Sequence, residues 1–210
     1  MTVLDPALSP DDVAAAPLPS GEGASRFLQA RAPSRLRDWV TLTKPEITLL
    51  VVLSSLAGYA LGATDGASAV ELTGLLVGVA LTSAGGGVLN HVLERHVDAT
   101  MHRTATRPLP SGRIEAKTAW YAGLGFVAAG VGLLCPTTNW PTATLALLTV
   151  WLYLYVYTPM KRRTQLNTLV GTVPGALPAL GGYVAATGTL GWAGWAAFAL
   201  LVVWQMPHFL

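Results

Sequence analysis

The sequence predicts an all-α protein, a polytopic bundle with about six transmembrane spans, and three observations carry that prediction. The 210 residues are 52% hydrophobic and only 11% charged, with a mean hydropathy of +0.49, whereas soluble domains carry roughly a quarter charged residues. Six apolar runs of 17 to 24 residues fall near 46–63, 70–93, 118–135, 142–158, 167–187 and 194–210. Each is about the length that crosses a 30 Å hydrocarbon core at 1.5 Å per residue. Finally, all 13 Lys and Arg sort to one side of a six-span arrangement, which adding or dropping a span would scatter. The net charge of +2 comes from sparse charges and gives no footprint for nucleic acid. A single cysteine, Cys135, excludes an internal disulfide and reads as packing.

Residues 1–33, rich in Ala, Pro, Ser and Asp without an apolar period, read as a disordered tail preceding a membrane domain at 34–210. The tail has neither the basic start nor the apolar core of a secretory signal. Residues 34–45 alternate Leu36, Trp39, Val40 and Leu42 with Arg35, Arg37 and Lys44, the pattern of a short helix lying in the headgroup layer. Pro45 then opens the first span, where its missing N–H costs little. The spans are rich in Gly and Ala, which let helix backbones approach closely in lipid. Pro174 and Pro178 are expected to bend or open the fifth. Arg26, Arg31, Arg35, Arg37 and Lys44 precede span one. Arg95, Arg103, Arg107, Arg113 and Lys117 follow span two, and Lys161, Arg162 and Arg163 follow span four. By the positive-inside rule these segments, and the N-terminus, are cytoplasmic.

Chemistry concentrates in two of those loops. From Gly85 to Arg113 the chain holds a clustered carboxylate pair, Glu94 and Asp98, with Asn90 four residues before the first. On a helix, steps of four advance about 40° around the axis, so the three oxygen-bearing side chains stack on one face. Hard oxygen donors of this kind suit Mg²⁺, which keeps positions open for water and phosphate. The same pattern also describes a solvated helix end capped by charge. Gly85, Gly86 and Gly87 leave room either for a ligand or for a packed neighbour. In the second loop Tyr157 and Lys161 stand four apart, with Arg162 and Arg163 extending the positive patch. Carboxylates on one loop and cations on the other would hold a metal diphosphate from both sides, although ordinary positive-inside anchoring explains the cations equally well. His91, His96, His102 and His208 have no metal-ligand spacing and read as hydrogen-bonded or interfacial imidazoles.

With these residues the chain resembles the UbiA-type intramembrane prenyltransferases, whose first acidic motif, N-x-x-x-[DE]-x-x-x-D, is matched by Asn90, Glu94 and Asp98. Within that superfamily it is most similar to the protoheme IX farnesyltransferase (haem O synthase) family. The stretches carrying this are LTKPEITLLVV from Leu42, the run from Glu94 to Arg113, YTPMKRRTQLNTLVGTVPGALPALGGYVAATG from Tyr157, and WQMPHF from Trp204. The resemblance implies a nine-helix fold in the inner membrane. The implied reaction is Mg²⁺-dependent transfer of a farnesyl group from farnesyl diphosphate to a vinyl group of haem B, giving haem O for haem-copper oxidases. It assigns Asn90, Glu94 and Asp98 to metal and diphosphate. Arg103, Arg107, Lys161 and Arg162 become diphosphate clamps, Tyr157 an orienting group, and His208 a haem contact. It further implies an oxidase-assembly or haem A synthase partner.

Two departures from the family pattern stand out. His96 replaces an acidic residue of the motif, which is expected to weaken metal binding, and the chain stops at Leu210, inside or just past span six. The family has a second acidic motif after that span. The sequence is therefore expected to correspond to the first two thirds of such an enzyme, with impaired or absent catalysis. A UbiA-type transferase with a quinone-precursor acceptor and a non-catalytic membrane fragment remain the competing readings.

Overall fold

The structure is a computed structural model that describes residues 35–64, 66–161, 163–164 and 166–209, without the side chains of 207–209. The expected tail at 1–33, Arg162 and the His208 side chain lie outside the described residues. All described secondary structure is helical: α1 Arg35–Thr43, α2 Pro45–Gly62, α3 Ala69–Thr100, α4 Ala116–Thr137, α5 Trp140–Met160, α6 Asn167–Thr187 and α7 Trp192–Phe209. Within α5, Leu152–Tyr157 form a π-helix.

Local chemistry accounts for the boundaries. Pro45 occupies the first turn of α2. Ser68 caps α3 by accepting from the Glu71 N–H, Asn139 caps α5 by accepting from the Thr142 N–H, and Gly188 at φ 71° ends α6 in the left-handed conformation. Five helices, α2 to α6, are long and apolar enough to cross a membrane, and the chain is a multi-pass membrane protein. The sixth expected span falls on α7, whose 18 residues equal α2 in length. The second span is longer than expected. Helix α3 runs 32 residues, carrying the acidic segment beyond the apolar run.

Alternating helices bring the start of α2, the end of α3, the start of α4, the end of α5 and the start of α6 to one end of the bundle. Small residues set the packing. A Cβ on Gly58 of α2 would run into the Ala179 carbonyl of α6, and one on Gly182 would run into the Ser55 carbonyl, so these two backbones touch. Helix α6 continues through both of its internal prolines, Pro174 and Pro178, which are buried. Leu42 of α1 packs with Val88, Val92, Leu109, Ile114 and Ala119, anchoring α1 and the loop after α3 to the bundle.

Candidate functional site

The helical period of α3 places Asn90, Glu94 and Asp98 on one buried face, at 2%, 8% and 5% exposure, while Leu93 and His96 on other faces are exposed. Two carboxylates this deep require partners, because an uncompensated buried charge costs several kcal/mol. Each of the three side chains has one, from a different segment.

Asn90 is met by Lys44. A Cβ on Gly87 would lie 3.2 Å from the carbonyl oxygens of both Leu42 and Thr43, so the turn between α1 and α2 rests directly on the α3 backbone there. The triple glycine thus serves packing, on Gly87 against this turn and on Gly85 against Gly123 and Val127 of α4. Lys44 takes the left-handed conformation, φ 50° and ψ 63°, before Pro45, a strain on the order of 1–3 kcal/mol for a non-glycine residue. Its Nζ donates to Asn90 Oδ1 at 2.5 Å and to the Tyr153 hydroxyl at 3.0 Å. Burial lowers this ammonium from 10.5 to about 8, with Glu94 opposing the shift.

Asp98 is met by Arg107, whose Nη1 donates to both carboxylate oxygens at 2.9 and 2.8 Å. The turns of the intervening loop make this possible: Thr104, buried, donates to the Asp98 carbonyl at 2.9 Å. The loop is tied back to α1 by Arg113, which donates from Nε and Nη2 to the buried Asp38 at 3.0 to 3.2 Å and to the Thr106 carbonyl at 3.0 Å. Glu94 is met by Lys161, Nζ to Oε1 at 3.3 Å, from the end of α5. The π-helix shapes that end. Tyr153 and Tyr157 stack with centroids 5.8 Å apart, Tyr157 packs against Gly171 of α6, and Asn90 Nδ2 donates to Thr158 Oγ1 at 3.0 Å. His91 is also buried, its Nδ1 3.9 Å from Asp98 Oδ2.

The structure thus gathers Asn90, Glu94, Asp98, Arg107 and Lys161, with Tyr157 beside them. It does not gather Arg103, which is exposed and joins none of these contacts. Arg162 and the His208 side chain are outside the described residues. His96 is exposed, off the face shared by Asn90, Glu94 and Asp98, so its departure from the acidic pattern leaves that face unaltered. Sequence reading missed Lys44, Tyr153 and Thr158 as site residues. The available signal was Lys44 immediately before a proline, within one of the stretches that carry the family resemblance.

The donor set fits Mg²⁺ in kind, being wholly hard oxygen. Among the described residues no three His, Cys, Asp or Glu side chains surround one point. Residues eight apart on a helix are separated by about 12 Å along its axis. A single ion with ligands at about 2.1 Å is therefore reached by a neighbouring pair such as Glu94 and Asp98, leaving its other positions to phosphate and water.

Comparisons with known proteins bear on the family and the fold. Residues 51–210 match the UbiA prenyltransferase family. Among curated proteins, the protoheme IX farnesyltransferase of Salinibacter ruber is 58% identical over 83% of this chain and 62% of its own length. That of Solibacter usitatus is 40% identical over 83% and 63%. The chain spans about three fifths of the length of these relatives. Among solved structures, a UbiA homolog from Archaeoglobus fulgidus bound to DMAPP and Mg²⁺ shares the fold, with TM-score 0.66, 22% identity, and 81% of this chain and 62% of that one covered. A digeranylgeranylglyceryl phosphate synthase structure gives TM-score 0.71 at 18% identity, covering 81% of this chain and 59% of that one.

Proposed function

The chain belongs to the UbiA prenyltransferase family, and on that premise we propose that it binds farnesyl diphosphate with Mg²⁺ and serves transfer of the farnesyl group to haem B, yielding haem O. The observation carrying this reading is the pairing of the three oxygen-bearing side chains on this face of α3 with one cation each: Asn90 with Lys44, Glu94 with Lys161, Asp98 with Arg107. A cluster of alternating sign at one end of a bundle has the composition needed to divide a metal diphosphate between its two halves. Carboxylates take the metal, and ammonium and guanidinium groups take phosphate oxygens.

In this reading Mg²⁺ would be held by neighbouring pairs on this face, Asn90 with Glu94 and Glu94 with Asp98, and would supply charge stabilisation to the departing diphosphate. Lys44, Lys161 and Arg107 hold the phosphate oxygens, with Arg162 as a further clamp. As the C1–O bond breaks its electron pair leaves with diphosphate, and these cations stabilise the charge that develops there. The haem vinyl group attacks C1 of the allylic cation. Water then adds to the resulting benzylic-type cation and loses its proton, leaving the hydroxyethylfarnesyl group. Tyr157, stacked on Tyr153, is taken as the group that orients or stabilises the reacting end of the prenyl chain. The likeness to protoheme IX farnesyltransferases favours haem over a quinone precursor as acceptor.

The same reading takes 34–210 as the prenyltransferase domain and 1–33 as a tail. It assigns the chain to the inner membrane with its N-terminus and the charged end of the bundle on the cytoplasmic side, Arg103 on the surface of that end, His208 as a haem contact, and an oxidase-assembly factor or haem A synthase as protein partner. The purified chain in lipid nanodiscs tests it. Farnesyl diphosphate is expected to bind by calorimetry when Mg²⁺ is present and to lose that binding in EDTA. Binding indifferent to the metal, or none, overturns the reading.

A further inference from the structure

We propose that Thr158 is a positioning residue that sets which way the Asn90 amide faces, presenting Oδ1 to the cation-lined side of the site and turning Nδ2 away. The proposal rests on the prenyl-diphosphate reading of that site and adds to it the residue that orients one of its donors.

An asparagine amide has two ends of nearly the same shape and opposite hydrogen-bonding character, and only the oxygen can serve as a metal ligand. Asn90, 2% exposed, has too little access to water for solvent to decide between them. Its neighbours decide. On one side Lys44 Nζ lies 2.5 Å away, and an ammonium has donors only, so it requires Oδ1. On the other side lies Thr158 Oγ1, 3.0 Å from Nδ2. A hydroxyl carries one proton, and Thr158 gives its proton to the Tyr153 carbonyl at 2.7 Å. It therefore offers Asn90 a lone pair and requires Nδ2. The two neighbours hold one orientation jointly, along a directed chain from Lys44 through Asn90 and Thr158 to the Tyr153 carbonyl, and without the Thr158 acceptor the buried Nδ2 has no partner on that side.

The last link depends on the π-helix. In an α-helix a threonine hydroxyl turns back to the carbonyl four residues earlier. Here the extra residue in the turn, Leu152–Tyr157, brings the carbonyl five residues earlier within reach, and that carbonyl accepts from both the Thr158 N–H and its hydroxyl. The local widening thus fixes the direction in which Thr158 spends its proton, a role that fits the frequent occurrence of π-bulges at functional sites. With Thr158 only 5% exposed, water does not compete for it.

The test uses the purified protein in nanodiscs, wild type and the variants Thr158→Val, Thr158→Ser and Asn90→Asp, with Mn²⁺ binding read by electron paramagnetic resonance. The probe is Mn²⁺ with farnesyl thiodiphosphate, an analogue that resists cleavage. Valine keeps the shape of threonine and removes the acceptor, so Thr158→Val is expected to weaken Mn²⁺ binding about 10–100-fold, as for other groups that orient metal ligands. Thr158→Ser, which keeps the hydroxyl, stays near wild type. In the Asn90→Asp background, where both ends of the side chain are oxygen, adding Thr158→Val brings no further weakening. Wild-type affinity in Thr158→Val, an equal loss in Thr158→Ser, or an undiminished valine effect on top of Asn90→Asp overturns the proposal while leaving the prenyl-diphosphate reading in place. Failure of the wild-type chain to bind Mn²⁺ with the analogue overturns that reading, and this proposal with it.

Discussion

The two ends of the bundle are closed by different means. At the end away from the carboxylates, the connections at 63–68, 138–139 and 188–191 carry no Lys or Arg and are secured mainly by local bonds. Ser68 and Asn139 cap their own helices, and the Tyr59 hydroxyl donates to Glu71 twelve residues on, at 3.2 Å. Asn139 is the exception with reach, donating also to the carbonyls of Val184 and Ala185 in α6. At the other end the bonds are charged and join distant parts of the chain: Lys44 with Tyr153, 109 residues apart, and Arg113 with Asp38, 75 apart. Short caps suffice to finish a helix bundle. Buried ion pairs are weak evidence for stability, since apolar replacements of similar volume often do as well. Their concentration at one end is what the proposed metal-diphosphate site would require.

That contrast can be broken at either end. The largest effect is expected from Asp98→Ala, which should abolish Mg²⁺-dependent binding of farnesyl diphosphate while membrane insertion, followed by protease protection, is unchanged. Wild-type binding in this variant would remove Asp98 from the site. Arg113→Ala leaves the buried Asp38 without its guanidinium partner. A stability loss of about 1–3 kcal/mol is expected, read from thermal unfolding, with weaker diphosphate binding because the loop carrying Arg107 is no longer tied to α1. At the opposite end Asn139→Ala removes a cap and two cross-helix bonds. It should lower stability by about 1–2 kcal/mol and leave diphosphate affinity as it was. A large affinity change there would erase the division between the ends. The smallest effect belongs to His96→Asp: an exposed side chain off the acidic face should alter Mg²⁺ half-saturation by less than about twofold, as surface substitutions generally do.

Much of this contrast is legible in the amino-acid sequence. Apolar runs of membrane length mark α2 to α6 within a few residues, and a spacing of four puts Asn90, Glu94 and Asp98 on one face, because both depend only on residues near in sequence. The length of α3 is less visible. Its last turns are polar and are held helical by burial against Lys44, Arg107 and Lys161 rather than by apolar period. The left-handed turn at Lys44 and the π-helix at Leu152–Tyr157 leave almost no mark, since both depend on contacts between segments distant in sequence, such as Lys44 with Tyr153. Arg103 and Arg107 are equivalent as sequence. Only the fold of the loop, fixed by Thr104 and Arg113, separates the one that reaches Asp98 from the one that remains on the surface.

Lys44 holds a backbone conformation that glycine alone adopts freely, and it does so directly ahead of a proline. Glycine at this position would relax the chain and remove the ammonium that meets Asn90 and Tyr153. The residue that folds best there is thus the one that would empty the site of a cation. A selection scheme that rewarded thermal tolerance alone would drift toward glycine at position 44, and its winners would be sturdier proteins without the ammonium that meets Asn90 and Tyr153.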